Sequence, residues 1–135
     1  MDLDAGLRTV GEYLDGRFGL EALLVFGSEA SGLAGADSDV DLAALFCEPA
    51  DPIDLVEAKA HVERLLGRTV DLVDLDRVSP ILAMQVMRHG RCLRGSASHG
   101  LAAFRASLPA RYSDLKRVRA AAEATLIRRA VHGQS

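Results

Sequence analysis

The chain has 135 residues, enough for one domain, since two would each be too small to bury an adequate core. Apolar residues make up 49% and charged residues 26%, which argues against wholesale disorder, and a net charge of −3 argues against a generic nucleic-acid coat. Two cysteines give no disulfide framework, no apolar run approaches a membrane span, and the acidic start lacks the basic residues of a signal peptide, so the expectation is a cytoplasmic protein with no membrane partner.

Leu3, Leu7, Val10 and Leu14 recur at helical spacing and predict an amphipathic helix over 3–18, closed by Gly16 and Gly19. Residues 22–26 form a continuous apolar run, as in a buried strand, which stops at Gly27-Ser28. Residues 27–38 predict a loop with a helical turn after Ser28. A second strand follows over 39–46, with Asp39 and Asp41 on one face and Val40 and Leu42 on the other. Asp51 as cap and Pro52 in the first turn predict a helix over 52–66, ended by Gly67. Residues 69–75 predict a third strand, with Asp71, Val73 and Leu75 on one face and Leu72 and Asp74 on the other. Ser79-Pro80 opens a helix to about His89, and residues 90–94 are extended. Two further helices, over 97–108 and 110–132, are expected to break at Pro109.

This order predicts an α+β fold, α/β-like, with a small mixed sheet, flanking helices and a helical C-terminal tail. Residues 1–104 hold 17 acids and 9 bases, whereas residues 105–135 hold 2 acids and 7 bases. The expected organisation is a domain over 1–108 and a basic C-terminal helix over 109–135, packed on that domain or on a partner.

The chemistry is concentrated in GSEASGLAGADSDVDL, residues 27–42. A strand ending at Gly27-Ser28 and feeding a helix start offers free backbone N–H groups, which suit a phosphate. Asp39 and Asp41 on one strand face repel each other unless a cation lies between them, and hard oxygen ligands at this spacing suit magnesium. Asp71 stands in an apolar strand, where a carboxylate needs a reason. If that strand neighbours the second, three carboxylates converge as two-metal phosphoryl or nucleotidyl transfer requires. Asp74, on the opposite face from Asp71, is assigned to the surface.

Gly27, Ser28, Asp39 and Asp41, spaced G-S-x10-D-x-D, resemble the signature of the polymerase-β-type nucleotidyltransferase superfamily. The short chain and the VDLV strand around Asp71 are similar to its minimal nucleotidyltransferase branch. That resemblance implies a polymerase-β-type nucleotidyltransferase fold. It implies that Gly27 and Ser28 hold the phosphates of ATP. Asp39, Asp41 and Asp71 then bind two Mg2+ ions, with Asp71 also deprotonating or orienting the incoming hydroxyl. Members of the branch act as antitoxins that transfer AMP to a tyrosine of a HEPN-class toxin, which implies such a toxin as partner in a hetero-oligomer. Neutralisation by binding alone, or transfer to RNA, is the alternative. The chain departs from the pattern where many relatives have arginines after the Gly-Ser pair, since Glu29 and Ser31 stand there. Arg91, Arg94 or the basic tail would have to take over that positive charge.

His61, His89, His99 and His132 show no zinc-site spacing with Cys47 or Cys92 and read as structural or surface residues. Met84 and Met87 read as core, and Cys47 as buried and inert. The tail offers only Tyr112 for base stacking, which disfavours nucleic acid as its partner.

Overall fold

Local signals start and stop the helices, and the computed structural model, which describes residues 2–27 and 39–132, shows each in use. The Asp2 carboxylate accepts the Ala5 N–H at 2.8 Å and caps α1 (Leu3–Phe18). Strand β1 (Leu20–Phe26) and strand β2 (Val40–Phe46) follow. Asp51 caps α2 (Pro52–Leu66) through the Ile53 N–H at 2.8 Å, and Gly67, at φ +65°, ends it in the left-handed conformation. After β3 (Val70–Asp74), the Ser79 hydroxyl accepts the Leu82 N–H at 3.2 Å and opens α3 (Pro80–His89). Strand β4 (Arg91–Arg94) leads to α4 (His99–His132).

The strands form one mixed sheet in the order β3-β2-β1-β4, as expected for an α+β fold. β1 pairs antiparallel with β2 and β4, and β2 pairs parallel with β3. Strand alternation divides the apolar side chains into two cores. Val40, Leu42, Ala44 and Phe46 of β2 pack with Leu7, Val10 and Leu14 of α1 and Ala58 and Val62 of α2. Ala43 and Leu45 pack with Ala83 and Val86 of α3 and Leu101, Phe104 and Leu108 of α4. A register shift between Leu20 and Ala22 sends these two residues to opposite cores. Among the described residues, four helices thus cover both faces of the sheet, and no helix is long and apolar enough to cross a membrane.

Three expectations are corrected. The helix does not break at Pro109, because α4 is continuous over 34 residues with Pro109 inside it. The proline lies where the helix is exposed, so water can satisfy the carbonyl that loses its partner. The alanine-rich sequence on both sides favours helix. Asp74 is not on the surface. It is 7% exposed, accepts the Asp76 N–H at 3.0 Å, and faces the Arg77 guanidinium at 3.6 Å, closing the turn into α3. Cys47 is exposed rather than buried. Its thiol donates to Glu21 at 3.6 Å, and desolvation together with that carboxylate raises its pKa, which favours the protonated form. Met84 and Met87 pack partly buried against the second core, and His61 stacks on Tyr13 with ring centroids 4.1 Å apart.

Candidate active site

The sheet register assembles the site. Phe26, the last residue of β1, lies opposite Asp41, and Asp41 lies beside Asp71 on β3. Neighbouring strands run about 5 Å apart, so the two carboxylates leave the sheet side by side. Asp41 alternates with the inward-facing Leu42, and Asp71 with the buried Val70. Both therefore stand on the face that α3 and α4 cover further along. Asp39 immediately precedes β2 and is exposed, as is Asp71, while Asp41 is half-buried.

Asp41 carries the electrostatic mark of this arrangement. Its pKa is raised, first by desolvation and then by the charges of Asp71 and Asp39. Asp41 is therefore close enough to both of the other expected carboxylates to feel their charge. Among the described residues, no group of three His, Cys, Asp or Glu side chains closes tightly enough to form a finished ion site. A row of hard oxygen donors short of a full cage fits magnesium, which keeps waters and takes substrate phosphate oxygens as further ligands.

Gly27 is tied to Asp41 more closely than the motif alone indicates. Its φ is +69°, a left-handed conformation that L side chains resist. A Cβ at this position would stand 2.3 Å from Asp41 Oδ2. The glycine thus both turns the chain out of β1 and leaves the space that the carboxylate occupies. Spacing along the chain carries no signal of this contact, which arises only once β1 and β2 pair. Ser28, Glu29, Ser31 and the expected loop and helical turn lie outside the described residues.

Of the residues expected to replace the missing arginines, Arg91 stands opposite Val25 near the end of β1, and Arg94 stands opposite Leu23. Arg94 pairs with Asp15 at 2.9 Å and Arg91 with Asp4 at 3.7 Å, both on α1, which covers the other face of the sheet. The basic tail leaves from the opposite end. Gly100 abuts Glu21 at the start of β1, and Arg111 pairs at 3.3 Å with Asp76, beyond the end of β3. From Asp41 to Phe46 that is about 17 Å along the strand.

A sheet of this order with a D-x-D strand beside a third aspartate defines a class, the nucleotidyltransferases. The sequence profile described as "Polymerase beta, Nucleotidyltransferase" matches residues 8–98, and the chain belongs to this family. Within it the chain is similar to the protein adenylyltransferase MntA of Thermococcus cleftensis, 39% identical over 72 residues, which are 53% of this chain and 73% of the relative. It is also 35% identical over 77 residues to the MntA of Shewanella oneidensis, covering 57% of this chain and 55% of the relative, so the match spans about half of that protein. Among solved structures it resembles a chain of a toxin–antitoxin complex with AMP-PNP, at TM-score 0.75 and 26% identity, over 93% of this chain and 99% of that one. A second is a complex of MNT antitoxin with a tri-AMPylated HEPN toxin of Shewanella oneidensis, at TM-score 0.70 and 25% identity, over 91% and 97%. A third, a solved minimal nucleotidyltransferase, matches at TM-score 0.58 and 35% identity over 67% of this chain and 95% of that one.

Proposed function

We propose that this chain is a magnesium-dependent adenylyltransferase that moves AMP from ATP to a tyrosine hydroxyl of a HEPN-class toxin, and so serves as the antitoxin. The observation that carries this reading is the row made by Asp41 and Asp71 in adjacent register, with Asp39 beside them and Gly27 giving way to the Asp41 carboxylate. The similarity to MntA adenylyltransferases and to antitoxin chains solved with AMP-PNP and with an AMPylated toxin supports the donor and the acceptor.

In this reading Asp39 and Asp41 hold both magnesium ions, and Asp71 holds one of them. Bound magnesium supplies the positive charge that neutralises the nucleotide phosphates. Gly27 and Ser28 hold those phosphates through backbone N–H groups and the serine hydroxyl. Asp71 accepts the proton of the incoming tyrosine hydroxyl. The tyrosine oxygen bonds to the α-phosphorus, the bond from that phosphorus to the bridging oxygen breaks, and diphosphate leaves. Asp39 and Asp71 are exposed, which suits an acceptor that brings its own walls. ATP as donor places the reaction in the cytoplasm.

The test is incubation with ATP labelled at the α-phosphate, magnesium and the product of the neighbouring gene. Label should pass to that partner's tyrosine and should be abolished by a chelator. A partner that is inhibited without gaining label would make this chain an antitoxin that works by binding. Labelled RNA beside an unlabelled partner would reassign the acceptor.

A further inference from the structure

The nucleotidyltransferase family does not account for α4, whose second half is exposed among the described residues. The family profile ends at residue 98 and α4 begins at His99. Its first turns are bound to the sheet by Leu101, Phe104 and Leu108. Leu115 is half-buried and lines, with Tyr112 and Arg119, a groove against Ile81 of α3. From Lys116 to Val131 every side chain except Thr125 is exposed. At 1.5 Å per residue this stretch is about 24 Å long.

Such a helix would be expected to be polar all round, and it is not. Val118 is 66% exposed, Leu126 62%, Ile127 64% and Val131 68%, which makes these four most of the large exposed hydrophobics among the described residues. At 100° per residue they fall into two stripes. Leu115, Val118, Ala122 and Leu126 share one side, a stripe that Arg129 on the same side ends. Ala120, Ala124, Ile127 and Val131 share the roughly opposite side. Lys116, Arg119 and Glu123 separate the stripes on one flank, and Arg117 and Arg128 on the other. Two opposed stripes do not fit a lipid surface, which takes one apolar face. They do not fit RNA either, since no aromatic residue lies beyond Tyr112 to stack on bases.

The solved minimal nucleotidyltransferase matches 67% of this chain. The chains solved in toxin–antitoxin complexes match 93% and 91%, which takes in most of α4. Chains solved in toxin–antitoxin complexes thus match the long helix as well as the nucleotidyltransferase domain.

We propose that residues 116–131 are a docking arm that the partner toxin clasps on two opposite sides, through apolar contacts bordered by acidic groups that meet the arginines. This rests on the proposed toxin partnership but not on AMP transfer. The arm leaves the domain at the end of the sheet away from Asp41, so the toxin is held at one place and modified at another.

The test uses the full chain with the neighbouring gene's product. Val118→Asp tests one stripe and Ile127→Asp the other, each alone. Both sites are exposed in the free chain, so the fold and its circular dichroism should be unchanged. Binding measured by calorimetry should weaken at least tenfold in each variant, and Arg128→Glu should weaken it further at low salt. Asp41→Asn should bind the partner normally, which separates docking from chemistry. Loss from only one stripe variant, or from neither, overturns the two-sided arm. So does light scattering that shows a dimer of the chain alone, dissolved by the same variants, since the arm would then serve a second copy.

Discussion

Gly27 and Asp41 occupy each other's space, and this contact sets the sharpest expectation for a single side chain. Gly27→Ala must move the Asp41 carboxylate and hold a left-handed φ, which costs roughly 1–2 kcal/mol. We expect a lowered melting temperature together with a loss of transfer of ~100-fold or more, because the displaced group is a proposed metal ligand. Unchanged transfer in a folded Gly27→Ala protein would detach Asp41 from the chemistry. Asp71 and Asp74 form a second contrast, three residues apart on one strand. Asp71→Asn should abolish transfer, whereas Asp74→Asn should leave it intact, since Asp74 closes a turn. Burial raises the Asp74 pKa above its unfolded value. Its ionised form therefore weakens the fold at neutral pH, and that cost is relieved as pH falls through the folded pKa. Asp74→Asn should melt higher than the parent at pH 7, with the gap narrowing on acidification. An Asp74→Asn protein that melts lower than the parent at pH 7 would show that the Arg77 contact outweighs burial.

At the scale of elements, the sequence made visible what is decided locally. Asp51-Pro52 with Gly67, and Ser79-Pro80, bound helices α2 and α3 as expected, because caps and prolines act within one turn. The D-x-D strand was legible by period two. Pro109 shows where local reading stops. A proline predicts a break, but attachment at Leu101, Phe104 and Leu108 and the helix-forming residues beyond carry α4 through. That continuity carries a penalty of about 3 kcal/mol relative to alanine in a helix interior. Pro109→Ala should therefore raise the melting temperature by several degrees without altering transfer. A lower melting temperature would mean that the ring makes a packing contact worth more than the missing hydrogen bond.

Taken as a whole, the molecule places its two charged features at opposite ends of one sheet. The carboxylates sit where β1 stops, and the basic arm leaves past the end of β3. The row of carboxylates was legible as residue types, but their neighbourhood depends on β2 pairing parallel with β3, a long-range choice that no local pattern dictates. The same holds for Cys47 and Asp74, whose exposure follows from where strand ends meet helices rather than from their neighbours in sequence. The central claim, that Asp41 serves transfer of AMP to a partner protein, is tested most directly by intact mass. The partner is co-expressed with the parent chain and, separately, with the Asp41→Asn chain. The partner should be heavier by whole AMP units on tyrosine with the parent chain, and of unmodified mass, still bound, with Asp41→Asn. Equal masses in the two preparations would contradict it.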